Sequence, residues 1–189
     1  SKCAHICQLG KDDRGKQYEQ DLEKNSIYVV NKFHHESHRT GRCLVFITPN
    51  SERTMGTYLG ASEMLEFSMD FMDAVNNSKI LFTEGYQFTS DQNFKAFISV
   101  LENTDPNVQL ALSLSDPFVV SNFKSRFEDV FSKRIVDYVF CNKEEAIAMA
   151  GENFVEGLSR ISKNFVVTDG ANSSAVSYTH LTLPTISDV

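Results

Sequence analysis

Four runs of this chain, "KILFTEGY" (Lys79 to Tyr86), "VQLALSLS" (Val108 to Ser115), "DYVFCN" (Asp137 to Asn142) and "NFVVTDG" (Asn164 to Gly170), are apolar almost without interruption. A strand with one wet face alternates apolar and polar residues, whereas a continuous apolar run belongs to a sheet covered on its faces. Between these runs, "SDQNFKAFISVLENT" sets Phe94, Phe97, Ile98 and Leu101 on one helical face. "PFVVSNFKSRFEDVFSK" and "KEEAIAMAG", closed by Gly151, read as two more helices. Apolar strands separated by amphipathic helices predict a parallel sheet, because parallel neighbours need a long crossover. Upstream, "AHICQLG" (Ala4 to Gly10) and "DRGKQYEQDLEKN", with Tyr18 and Leu22 four apart, form another strand-loop-helix unit. From Ile27 to Leu59 the runs "IYVVNKF", "RCLVFITP" and "RTMGTYL", separated by polar stretches, predict a small antiparallel sheet. The expected fold class is α/β: an open, mostly parallel sheet flanked by helices, with an antiparallel insertion near the N-terminus.

Composition narrows the function classes. A chain of 189 residues, 41% hydrophobic, is long enough for a core of its own and fits one domain or part of one. A net charge of −7 supplies no positive field to gather a polyanion, which argues against nucleic acid as a partner. No apolar run approaches the roughly 20 residues of a membrane span, and the first residues lack the pattern of a signal peptide. No membrane association and a cytoplasmic location are therefore expected. Cys3, Cys7, Cys43 and Cys141 have no C-x-x-C spacing and lie in apolar stretches, so they are expected to be reduced and buried. His34, His35 and His38 in "HHESH" have spacing compatible with zinc but no cysteine or fourth ligand nearby, which favours a polar turn.

Ligands of open α/β sheets bind beyond the carboxyl ends of the strands. The polar residues expected there are Gln8 to Asp13, Glu84 to Tyr86, Ser115 to Pro117, Asn142 to Glu145 and Thr168 to Gly170. On spacing alone, Asn142 caps a helix whose dipole Glu144 and Glu145 favour. Asp116, just before Pro117, reads as another cap, with a position facing a phosphate or metal as the alternative. Asp169-Gly170 is a common turn signal.

In sequence order these segments resemble the ribokinase-like (PfkB) family of carbohydrate and nucleoside kinases, in its adenosine-kinase-like branch. "CQLGKDDRGKQYEQDLEKNSI" is similar to the family's G-x-D-x-x-G opening, and "TGRCLVFITPNSERTMGTYLGAS" (Thr40 to Ser62) to its lid. "TEGYQF", "LSLSDPFVV" and "FCNKEEAIAMAG" follow in the expected order, covering about Cys3 to Ala175. The resemblance implies a ribokinase-like fold, with a lid at about residues 27–60, and ATP- and Mg²⁺-dependent transfer of phosphate to a hydroxymethyl group. The acceptor implied is a nucleoside such as adenosine, with a sugar such as fructose as the alternative. A non-catalytic binding remnant is the reading from another class. Asn142 and Glu145 match the ends of the N-x-x-E motif, which implies that they place hydrated Mg²⁺ beside the ATP phosphates, Glu145 acting through water. Thr168 and Gly170 match the T-x-G beside the nucleotide. In the lid, Arg53 is a candidate for reaching substrate or phosphate, with a surface ion pair to Glu52 or to a neighbouring strand as the plainer role. Thr40 and Gly41 are candidates for a hinge, and the lid implies a possible homodimer contact.

The family's G-A-G-D motif, which carries the general base, is not matched. "DGAN" ends on Asn172, which cannot act as a carboxylate base, and lies too early. The expectation is a central piece of a kinase, about residues 1–175, inactive by itself. Val176 to Thr185, "VSYTHLTLPT", is identical to a translated frame of a transposase adapter used in DNA library preparation, so 176–189 is expected to be a non-native tail.

Overall fold

A computed structural model describes residues 2–30 and 34–177, which divide into two compact units at Ala74/Val75. In the first unit, β1 (Cys3–His5) is followed by α1 (Asp13–Lys24) and β2 (Ile27–Val29), and β1 and β2 pair in parallel. Then come β3 (Arg42–Ile47) and β4 (Arg53–Tyr58), an antiparallel hairpin in register from Arg42↔Tyr58 to Ile47↔Arg53. The hairpin thus begins at Arg42. The expectation of an antiparallel sheet from Ile27 is corrected by the β1 pairing of β2, a long-range choice that local pattern does not encode. α2 (Met69–Asn76) follows and spans the division between the units.

The second unit holds β5 (Ile80–Glu84), α3 (Asp91–Asn103), β6 (Gln109–Ser113), α4 (Pro117–Lys133), β7 (Val136–Asn142), α5 (Lys143–Ala150), α6 (Phe154–Ile161), β8 (Ser162–Asp169) and β9 (Asn172–Ser177). The sheet order is β5-β6-β7-β8-β9, parallel throughout except for the last pair. α3 and α4 each start on a side chain that satisfies a free backbone donor. Ser90 accepts from the Asn93 N–H at 3.3 Å, and Asp116 accepts from the Phe118 N–H at 2.7 Å with Pro117 in the first turn. Asp116 is thus a cap, as its spacing implied.

Phe97, Leu101, Val120, Phe127, Ala146 and Leu158 of the helices share one apolar cluster with Leu112, Val139 and Phe165 of the strands. Phe88, fully buried, sits against the rings of Phe94, Phe97 and Phe127 at 5.5, 5.3 and 4.9 Å. The register puts Ile80, Phe82 and Phe140 on the opposite sheet face, where they remain substantially exposed.

All four cysteines are free. Cys141 is buried and Cys7 half-buried, but Cys3 and Cys43 are exposed, which corrects the expectation of burial for those two. Cys43 lies on a hairpin whose every strand residue is exposed, so an apolar run did not guarantee a covered strand. Among the described residues no helix is long and apolar enough to cross a membrane.

Candidate functional site

Within the second unit, the carboxyl ends of β5, β6, β7 and β8 bring together residues far apart in sequence. β7 buries Val136, Val139 and Cys141 and then reaches Asn142, whose backbone is still extended (φ −91°, ψ 175°). That geometry lets Asn142 Oδ1 accept the Glu145 N–H at 2.8 Å, while Glu145 Oε2 accepts the Asn142 N–H at 3.1 Å. This reciprocal capping box starts α5. A third bond, from Asn142 Nδ2 to Glu145 Oε1 at 2.8 Å, fixes the carboxylate further. The capping role read from spacing is therefore real, and it holds an acid in place at the edge of the sheet.

Glu145 is 6% exposed and has no ion-pair partner among the described residues. Burial raises its pKa above the ordinary carboxylate value; the Asn142 N–H opposes this, and the charges of Asp116 and Glu144 add to it. Burial, aided by the Glu145 charge, pushes the Cys141 thiol up to about 12. Tyr86 lies in the same field: burial, then Asp116, Glu145 and Glu84, raise its phenol, which donates to the Ser115 carbonyl at 3.3 Å. Tyr86 and Glu84, expected at a strand end from the sequence, join these residues because β5 ends beside β6.

Asp116, Glu144 and Glu145 offer oxygen atoms and have no ion-pair partner among the described residues, whereas Lys143 pairs with Asp169. Such a set suits a hard, hydrated divalent cation better than a thiolate- or imidazole-seeking metal. Among the described residues no three His, Cys, Asp or Glu side chains are grouped tightly enough to bind a metal directly. Glu145 and Asp116 lie in one electrostatic field, the Asp116 charge adding to the rise in the Glu145 pKa.

Thr168 is the register partner of Asn142 across β7 and β8. Beyond it the β8–β9 ladder changes register between Val167 and Asp169, a bulge of the kind found beside active sites. Gly170 (φ +55°) opens the two-residue turn closed by Asp169↔Asn172. Positive φ at the first turn residue alone is the type II′ pattern, so Asp169 flanks the turn instead of sitting inside it. Lys143 pairs with Asp169 at 3.0 Å, tying the N-x-x-E and T-x-G segments together. β9 includes Val176 and Ser177, the first residues of the adapter-like stretch, while 178–189 lie outside the described residues.

The remaining candidates belong to the first unit. Thr40 is buried, and Gly41 lies so close to the Leu59 carbonyl that an added Cβ would sit 2.7 Å from it. Arg53 opens β4, exposed and without an ion pair among the described residues, so the alternative of a Glu52 pair is not realised. His34 faces Glu19 at 3.3 Å, and the His35 and His38 rings meet edge to face at 4.5 Å.

The pfkB family carbohydrate kinase pattern matches residues 1–187. No curated protein sequence matches significantly. Among solved structures, adenosine kinase from Sinorhizobium meliloti superposes with a TM-score of 0.82 at 27% identity, over 92% of this chain and 54% of that one. A probable sugar kinase from Rhizobium etli gives 0.82 at 25% identity, over 93% and 55%. Adenosine kinase from Trypanosoma brucei brucei shares the fold at 20% identity, with a TM-score of 0.77 over 98% and 62%. The chain thus spans a little over half the length of these kinases. With α/β topology, strand-end polar cluster and family pattern in agreement, the chain belongs to the pfkB family of carbohydrate kinases.

Proposed function

We propose that the whole protein containing this chain transfers the γ-phosphoryl group of ATP, with Mg²⁺, to a hydroxymethyl group of a nucleoside, adenosine being preferred. The observation that carries this reading is the buried, hydrogen-bonded Glu145 at the strand ends, in a field of like charge that a cation would relieve. Asn142 orients Glu145, and Glu145 with Asp116 holds the waters of Mg²⁺. Bound Mg²⁺ offsets the charge that builds on the phosphoryl oxygens. Thr168 and Gly170 line the nucleotide, where the absence of a Cβ at Gly170 permits close approach. The β3–β4 hairpin is the lid that excludes water from the acceptor, with Thr40 and Gly41 at its hinge and Arg53 directed to substrate or phosphate.

A sugar acceptor is the second reading, favoured by the probable sugar kinase from Rhizobium etli, which superposes as well as the S. meliloti adenosine kinase. The test is to incubate the whole protein with ATP, Mg²⁺ and either adenosine or fructose, and to identify the phosphorylated product by mass spectrometry. A higher kcat/KM for adenosine is expected. Higher turnover of fructose would move the assignment to the sugar, and phosphorylation of neither would overturn it.

A further inference from the structure

One carboxylate holds the start of α1 and the root of the β3–β4 hairpin at once. Asp12 Oδ1 accepts the Gly15 N–H at 2.9 Å, capping α1, and the Thr40 hydroxyl at 2.7 Å. Its Oδ2 accepts the Thr40 N–H at 2.9 Å. The Thr40 hydroxyl in turn accepts the Gly10 N–H at 3.0 Å, and Thr40 is 7% exposed. The Thr40 hydroxyl, with the Gly15 and Thr40 N–H groups, holds the Asp12 carboxyl at about 2.

Glycines make this contact possible. A Cβ on Gly10 would fall 2.4 Å from the Thr40 nitrogen, and one on Gly15 would fall 2.3 Å from the Gly10 carbonyl and 2.8 Å from Thr40 Oγ1. The second foot of the hairpin is fastened to the first by backbone, Ala61 N–H donating to the Arg39 carbonyl at 2.8 Å, and by the Arg42 guanidinium lying over the Tyr58 ring at 5.1 Å. Gly60 (φ +55°) would place a Cβ 2.2 Å from that same oxygen. Beyond these feet every residue of β3 and β4 is exposed, including Leu44, Phe46, Ile47 and Met55. A hairpin exposed along its whole length takes its direction from its root.

We infer that Asp12 is a positioning residue for the hairpin. By gripping Thr40 with the carboxylate that caps α1, it fixes the direction in which β3 leaves the fold, so that Thr40 is the fixed side of the hinge and any swing of the hairpin occurs at Gly41 and Gly60. The mechanical claim stands on the hydrogen bonds; its catalytic consequence rests on the lid reading above.

Amide hydrogen exchange on the full chain tests the mechanical claim without any activity. Asp12→Ser keeps a good helix cap but cannot reach Thr40, and Thr40→Val removes the hydroxyl at nearly constant volume. In both, the amides of Gly10, residue 40 and Ala61 are expected to exchange about tenfold faster or more, the effect of losing one or two hydrogen bonds. The amides of α1 keep their wild-type rates, and Thr40→Ser, which retains the hydroxyl, restores the root. Unchanged root amides in both variants, loosening of α1 in step with the root, or failure of Thr40→Ser to restore it would overturn the inference. Global unfolding of both Asp12→Ser and Thr40→Val would also overturn it, by making the clamp a strut for the whole fold. In the whole protein, the acceptor KM is expected to rise in Thr40→Val and to recover in Thr40→Ser. An unchanged KM with loosened root amides would count against the lid reading and leave the clamp intact.

Discussion

Asn142 gives both its side chain and its backbone N–H to Glu145, so the acid that starts α5 cannot turn away from the end of the sheet. Two carboxylates here respond to pH in opposite senses. The pKa of Glu145 is raised in the fold, so its ionisation subtracts from stability at neutral pH, and the cost disappears as the pH falls to the ordinary value of 4.5. Glu145→Gln escapes that cost; its urea midpoint relative to the wild type should therefore rise from pH 4 to pH 7. A midpoint difference that stays flat or falls would contradict the burial of a charged Glu145. Asp12 is lowered from 3.8 to about 2, so its contribution is complete above the ordinary value and is lost as the pH drops through the folded one. The advantage of the wild type over Asp12→Asn should shrink over that acid interval. At this scale the sequence revealed the cap, the acid and the strand-end segments around them, but not the charge coupling of Tyr86 to Asp116 and Glu145, which depends on side-chain distances that strand pairing sets.

Long periodic elements were legible, and a short one such as α5 only where a cap and a closing glycine marked its ends. The apolar runs became β5 to β8 and the amphipathic segments α3 to α5, with Phe97 and Leu101 of α3 in the core as their spacing required. α2 and α6, eight residues each, carry too few turns to assert a period. β1 stops at His5 although the apolar run continues to Leu9, and β2 pairs with β1 instead of with the hairpin. Pairing choices of this kind depend on distant chain. The β8–β9 turn offers a sharp test: Gly170 has φ +55° and open space around it, so an added methyl meets no atom and only the backbone conformation resists. Gly170→Ala should cost about 1 kcal/mol, and Gly170→Asn less, since Asn tolerates this region. Urea unfolding measures both, and an Ala variant as stable as the wild type would refute the positive-φ turn.

At the scale of the molecule, the second unit supplies a strand-end acidic site and the first a glycine-rooted hairpin, the two parts that the proposed chemistry divides between metal placement and water exclusion. The apolar runs that announced the sheet did so because one face packs under the helices. The exposure of Ile80, Phe82 and Phe140 on the other face was not encoded in those runs. In the proposed chemistry, Glu145 places the cation for phosphoryl transfer. A Mg²⁺ titration of phosphate transfer from ATP, run on the whole protein and on its Glu145→Gln variant, isolates that role, because the variant keeps the cap and removes the charge. The Mg²⁺ concentration for half-maximal rate should rise about 10- to 100-fold in the variant. An identical Mg²⁺ dependence in the two proteins would take the cation away from Glu145.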